Sequence, residues 1–376
     1  MEMMLAFSLM TLFLTSSLAL SESMRQLRTQ GVRELEDLDK QLPTLSSMKS
    51  DYASEWGRDS CSSSFAFNSE SIFHNSPVSG TDMEVRDGVA YITSDSNVQN
   101  LPDFYIVDMN VPEFPSIISS LNTGPGLSAL EIAGHYIYAA NAGSTNQLQV
   151  IDISDRNSPK LVTTLKLPLP NASSTAPFAT AIFYSKGLIY LGTKKWDGKE
   201  FSIIDVSVPS SPRYAGGFEI DSQVNDIYVV DGYAYIADSD MAQMRVLDVK
   251  NPTDIKQVNS FSPSGWQTQI GEVLAYFEGG LTLGRTTGGF NVTTNHEIFL
   301  LSTTSPASQS VIKNSHDIPG GVYGMVLRPP YVYMVTKFPS KEFRIWDMDA
   351  SEIVFELSLD FSPSALSCDG NNLYII

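Results

Sequence analysis

The sequence predicts an all-β fold assembled from repeated four-stranded units. Three observations carry this. An aromatic-centred strand recurs after a glycine at intervals of 47, 52, 45, 47, 51 and 41 residues. A second strand, apolar and closed by an acid, recurs between those copies. Glycine and proline number 25 and 20, while charged residues make up only 18% of the chain, which suits many turns and few exposed helices.

The aromatic copies read GVAYITSD (88–95), GHYIYAAN (134–141), KGLIYLGT (186–193), DGYAYIAD (231–238), GGLTLGRT (279–286), PPYVYMVT (329–336) and DGNNLYII (369–376). Their central positions are Tyr91, Tyr138, Tyr190, Tyr235, Thr282, Tyr333 and Tyr374. The acid-closed copies read FYIVDMNVPEFP (104–115), LQVIDISDRNSP (148–159), FSIIDVSVPSSP (201–212), MRVLDVKNPTDI (244–255), IFLLSTTSPASQ (298–309) and FRIWDMDASEIV (343–354). The acid is Asp108, Asp152, Asp205, Asp248 and Asp347, and Ser302 replaces it once.

Each part has a physical role. Alternating apolar residues rich in β-branched and aromatic types make half-buried strands. A glycine before the aromatic strand permits a tight hairpin. A short carboxylate at the strand end accepts the N–H groups of the next turn. Proline lacks a ladder donor, so the strand it opens is an outer one. Four strands in roughly 45–50 residues is the period of a propeller blade. The expected fold is therefore a seven-bladed β-propeller of four-stranded antiparallel blades over 61–376. The repeated aspartates are expected to form turns, because they recur at one structural position in blade after blade.

The strand-Asp pattern resembles the LVIVD-repeat family of β-propellers over about 81–376, with LQVIDIS and FSIIDVS near its consensus. The resemblance implies a fold far more than an activity.

Seven aromatic strands meet only six acid-closed strands. The segment 61–77, with strand-like SFAF (64–67) and SIFH (71–74), is expected to complete the seventh blade and so remove open sheet edges. The chain has two cysteines, Cys61 and Cys368, both in that blade. A disulfide between them is expected to clamp the ring's seam; two unrelated buried thiols are the alternative.

The ring is expected to be preceded by a hydrophobic and then amphipathic α-helix over 1–43 and a Ser-rich linker over 44–60. Met3 to Ser21 carries no charge and is about long enough as a helix to match the hydrocarbon thickness of a bilayer. Met24, Leu27, Gly31, Leu35, Leu38 and Leu42 then follow at three- and four-residue steps until Pro43. Three readings stay open: a signal peptide cleaved after Ser17-Leu18-Ala19, an uncleaved membrane anchor, and a pilin-like start. MEMMLAFSLMTLFL resembles the N-terminal helix of type IV pilins and pseudopilins, which implies that Glu2 pairs with the amino terminus of a neighbouring pilin-type subunit.

A net charge of −18 argues against a nucleic-acid partner and against electrostatic attachment to anionic lipid. None of His74, His135, His296 and His316 forms a metal pair at helical spacing, and no GxSxG elbow, Walker A loop or GxGxxG appears. Asp238 and Asp240 break the repeat, and hard oxygens in a loop are the ligands of Ca²⁺. Gln223, Asn225 and Asp226 precede a first strand, where propellers line their central funnel, and are binding candidates. Trp196, Trp266 and Trp346 are expected to pack in or between blades. No cofactor and no catalytic residue is assigned. The function expected is non-enzymatic: an extracellular or cell-surface propeller, held by its N-terminal helix at a membrane or filament and presenting an acidic disc to a protein or glycan. Cleavage of the helix makes it a secreted protein. The alternatives are a minor pilin-like subunit with a propeller tip and a propeller hydrolase with a metal site in the funnel.

Overall fold

A computed structural model describes residues 61–66, 79–95, 101–111, 115–240, 243–262, 270–286, 296–303, 306–307 and 311–376. The expected helix over 1–43, with Glu2, and the linker over 44–60 lie outside them, as do His74, Trp266 and residues 67–77 of the segment expected to complete the last blade. Every regular element among the described residues is a strand.

Strand β1 (Cys61–Ala66) is followed by six blades. Blade one is β2 (Gly80–Arg86), β3 (Val89–Ser94), β4 (Phe104–Asp108) and β5 (Ser116–Leu121). Blade two is β6 (Leu127–Ala133), β7 (Tyr136–Asn141), β8 (Leu148–Asp152) and β9 (Lys160–Leu165). Blade three is β10 (Ala179–Ser185), β11 (Leu188–Thr193), β12 (Phe201–Asp205) and β13 (Arg213–Phe218). Blade four is β14 (Val224–Val230), β15 (Tyr233–Asp238), β16 (Met244–Asp248) and β17 (Lys256–Phe261). Blade five is β18 (Gly271–Phe277), β19 (Gly280–Arg285), β20 (Ile298–Ser302) and β21 (Ile312–His316). Blade six is β22 (Val322–Arg328), β23 (Tyr331–Thr336), β24 (Phe343–Asp347) and β25 (Glu352–Leu357). Each is an antiparallel meander in chain order.

The repeat reads directly into this architecture. The aromatic strand is second and the acid-closed strand third in each blade. Gly88, Gly187, Gly232 and Gly279 take positive φ in the first hairpins, each after a residue that does the same. This pair of left-handed residues matches the strand twist. The repeated aspartates close Asx turns: Oδ1 of Asp108, Asp152, Asp205, Asp248 and Asp347 accepts the N–H of Asn110, Ser154, Ser207, Lys250 and Asp349. Hydrogen bonds from Asn110, Ser154 and Ser207 hold the first three carboxyls below the usual carboxylate range. The residue after the acid then donates to the first hairpin, as Met109 does to Gly88 O and Val249 to Gly232 O. Pro115, Pro159 and Pro212 stand immediately before outer strands.

The core lies between blades. Ile106 of blade one packs with Ile132 and Ile137 of blade two, and Ile203 of blade three with Ile227 and Ile236 of blade four. The second strands are buried along nearly their whole length, because both of their faces are covered.

The number of four-stranded blades is a correction. Seven were expected; six are found among the described residues, together with a two-stranded sheet of β1 and β26 (Leu366–Ile375). The physical reason is visible in the pairing. β26 turns back on itself at Gly370, and the one added partner it has among the described residues, β1, runs parallel to it with a register shift between Cys61↔Gly370 and Ala66↔Asn372. A parallel, shifted contact does not extend an antiparallel meander. β26 still fills the gap between blades one and six. Tyr374 packs with Met83, Val85 and Ile92, while Leu373 packs with Tyr333, Val335 and Phe343. Cys368 is buried and disulfide-bonded, and Cys61 is the one other cysteine in the chain.

Candidate functional site at the central channel

The innermost strands β2, β6, β10, β14, β18 and β22, with the first arm of β26, line a central cavity of about 310 Å³. Each of the six strands carries a bulge at its second residue, where the ladder to the next strand shifts register. The bulge turns that side chain toward the next blade. Thr81 Oγ1 donates to Leu127 O (2.6 Å), Ser128 Oγ to Ala179 O (2.9 Å), Thr180 Oγ1 to Val224 O (2.5 Å) and Asn225 Nδ2 to Gly271 O (2.6 Å). Ser364 Oγ donates to Gly80 O (2.6 Å) and closes the circle across the seam. These bonds form a belt that runs blade to blade at one mouth of the channel.

Carboxylates make a second belt. Asp82 Oδ2 accepts Leu130 N–H (2.9 Å) and Asp226 Oδ2 accepts Leu274 N–H (2.8 Å), each from the following blade. Glu84 Oε2 accepts Ile132 N–H (3.0 Å), and its other oxygen meets Arg86 at 2.6 Å. At the seam, Ser367 and Asp369 do the same for Val85 and Gly88.

The belt changes character at Glu272 and Tyr323, which hold the bulge positions of blades five and six. An ionised glutamate has no proton to donate. Burial, with the Asp226 charge adding to it, pushes the Glu272 carboxyl up, and Lys337 opposes the shift. Lys337 Nζ lies 3.9 Å over the Tyr323 ring. The same face carries two exposed phenylalanines: Phe178, 43% exposed and beside Lys194, and Phe338, 38% exposed and beside Arg344.

Of the three expected funnel residues, Asn225 and Asp226 line the channel, and Gln223 reaches it indirectly through a 2.7 Å bond from Nε2 to Asn225 Oδ1. Asp238 and Asp240, the expected Ca²⁺ ligands, are ion-paired to one guanidinium. Arg245 takes both, with Nε 2.7 Å from Asp238 and Nη2 3.0 Å from Asp240, and Asp240 N–H fills Asp238 Oδ1. The cation there is a guanidinium, and no group of three or more metal-capable side chains occurs among the described residues. His135 is exposed in its hairpin, His296 bonds Ser315 Oγ, and His316 stacks on the fully buried Trp346.

Sequence reasoning missed a third recurrent device. A polar residue stands directly before the third strand in every blade: Asp103, Gln147, Glu200, Gln243, Glu297 and Glu342. Five of them reach the chain leaving the outer strand, accepting the N–H of Thr123, Leu167, Ile220, Ile318 and Leu359 at 2.7–3.1 Å. The signal lies one residue upstream of the acid-closed strand. In blades three and five the neighbour is a second acid. Burial, then a hydrogen bond shared with Asp317, pushes Glu297 up to about 8; burial and the bond shared with Glu200 push Glu219 up to about 7.

The LVIVD repeat model matches residues 128–166, 196–219 and 222–262, that is, parts of blades two, three and four. The chain is a β-propeller carrying LVIVD repeats. Among curated proteins none matches it. Solved propellers do. A periplasmic gluconolactonase of Pseudomonas aeruginosa aligns with a TM-score of 0.61 at 11% identity, over 79% of this chain and 88% of that one. Sqt1 of Saccharomyces cerevisiae aligns with 0.57 at 10% identity, over 83% of each chain, and the WD40 propeller of Doa1 with 0.56 at 11%, over 80% and 90%. At these identities the likeness is one of fold.

Proposed function

We propose that this propeller is a non-enzymatic binding module of the cell surface, held at a membrane by its N-terminal segment, whose channel-mouth face docks a protein partner with a basic contact surface. One observation carries the reading. Three of the four carboxylates lining the channel, Asp82, Glu84 and Asp226, are bonded to backbone N–H groups of the following blade, so they fasten the ring instead of awaiting a metal or a substrate. Glu272 alone faces the channel without such a bond, and the exposed aromatics Phe178 and Phe338 stand on the same face. Aromatic anchors beside a charged centre are the groups that dominate protein interfaces. A net charge of −18 favours a basic partner and speeds its approach. The WD40 propeller of Doa1 and a chain of a mitotic checkpoint complex are among the solved structures with a similar fold, which is coarse support for a role in protein interactions.

The test is site-specific photocrosslinking on intact cells. Crosslinkers at Phe178 and Phe338 are expected to capture one discrete protein, with capture falling as salt rises and in Glu272→Gln. Equal capture from Ile117 on the outer rim, or none at the mouth, refutes the reading. Retention on a glycan array with no protein adduct assigns the face to a glycan instead.

A further inference from the structure

We propose that Asn171 is an acceptor for an N-linked glycan. It begins the triplet Asn171-Ala172-Ser173, in the connection from β9 to β10, and all three residues are exposed. An Asn-X-Ser triplet with X other than proline is a recognition signal only where the asparagine is accessible and its local backbone presents the amide. Both conditions are met. Asn171 Oδ1 accepts the Ser173 hydroxyl at 2.6 Å and the Ser173 N–H at 3.0 Å, an Asx turn that places the hydroxyl of the third residue against the amide of the first. Both bonds fall on Oδ1, and Nδ2 has no hydrogen-bond partner among the described residues. The turn is held from behind, where Ser174 N–H donates to Asn171 O and Ser174 Oγ to Asp197 Oδ2 at 2.9 Å.

The chemistry asks for this arrangement. An amide nitrogen is a poor nucleophile because its lone pair is delocalised into the carbonyl. A hydroxyl donated to Oδ1 draws density off the amide and eases loss of an Nδ2 proton. The transfer is complete as written: Nδ2 bonds to the anomeric carbon of a polyprenyl-pyrophosphate-linked oligosaccharide, the carbon–oxygen bond to pyrophosphate breaks, polyprenyl pyrophosphate leaves, and the Nδ2 proton passes to a base of the transferase. The site lies on the channel-mouth face, seven residues before Phe178, so a glycan there borders the proposed docking surface between blades two and three. The inference rests on the extracytoplasmic placement for its occurrence in the cell, but not for its local geometry. The chain holds a second triplet, Asn291-Val292-Thr293, outside the described residues.

Purified, folded full chain is incubated with an oligosaccharyltransferase and its lipid-pyrophosphate donor, and modified peptides are mapped by mass spectrometry. Modification at Asn171 is expected, falling to background in Ser173→Ala and rising in Ser173→Thr, with both variants melting as the parent does. No glycan on Asn171 of the folded protein, or glycan on Asn291 alone, overturns the inference. Peptide mapping of protein from its own cells separates the two claims. Asn171 modified in vitro but bare in a chain shielded from external protease refutes the surface placement and leaves the acceptor geometry standing.

Discussion

Asp226 holds two backbone N–H groups on one carboxylate: Ile227 at 2.8 Å in its own strand and Leu274 at 2.8 Å in the next blade. Replacing it with alanine removes both acceptors and strands the Leu274 N–H in a partly buried ladder. Hydrogen bonds to a charged group are each worth about 1.5–3 kcal/mol, and the local one is more easily replaced by water, so Asp226→Ala is expected to cost about 2–4 kcal/mol. For a domain of this size that lowers the melting temperature by about 3–6 °C. Asparagine keeps one acceptor oxygen and loses the charge, so Asp226→Asn is expected to cost about half as much. Asp82 is the same device in blade one, bonded to Met83 and Leu130, and Asp82→Ala is expected to behave alike. The two share no partner, so the double variant should show the sum within about 0.5 kcal/mol. Urea midpoints and slopes at constant salt measure this. A loss below about 0.5 kcal/mol in Asp226→Ala, or equal losses with asparagine and alanine, would refute the view that these carboxylates fasten blade to blade.

Other outcomes follow from the same geometry. Non-reducing peptide mapping is expected to find Cys61 joined to Cys368, and Cys368→Ser to lower stability by about 2–5 kcal/mol; two free thiols in the native protein contradict this. Glu297 has its pKa raised by folding from its ordinary 4.5 to about 8, so between those values the folded chain binds more protons than the unfolded one. Its contribution is therefore fully present below pH 4.5 and is lost as pH rises toward about 8. Glu219 adds the same sign up to about 7. Melting temperature should fall across this window and fall less in Glu297→Gln; an unchanged slope in that variant removes Glu297 as the cause. Gly216 lies against the backbone carbonyl of Pro252 in blade four, where an added Cβ overlaps the oxygen. Gly216→Ala is accordingly expected to cost about 1–3 kcal/mol through displacement of the interblade turn, read as a lower urea midpoint, whereas Gly134→Ala tests only the positive φ, since nothing lies near its Cβ.

The sequence alone determined the blade. Apolar alternation, the glycine of the hairpin, the turn-closing Asp152 and the outer-strand Pro159 are local, because strand periodicity and turn chemistry are set within a few residues. The repeat of that unit gave the propeller. The tertiary structure alone decided what the units do to one another. Nothing near Thr81 announces that its hydroxyl will meet Leu127 O, and the same is true of Asp226 and Leu274, which lie 48 residues apart. Asp238 and Asp240 read as loose oxygen ligands until Arg245, on the adjacent strand, filled them. The closing position likewise depended on how β1 meets β26, a contact that is parallel among the described residues and not the antiparallel pairing of the other blades. Strand formation follows from local pattern, whereas the belts, the channel and the seam arise only when the ring brings distant bulges and carboxylates within 3 Å of a neighbour's backbone.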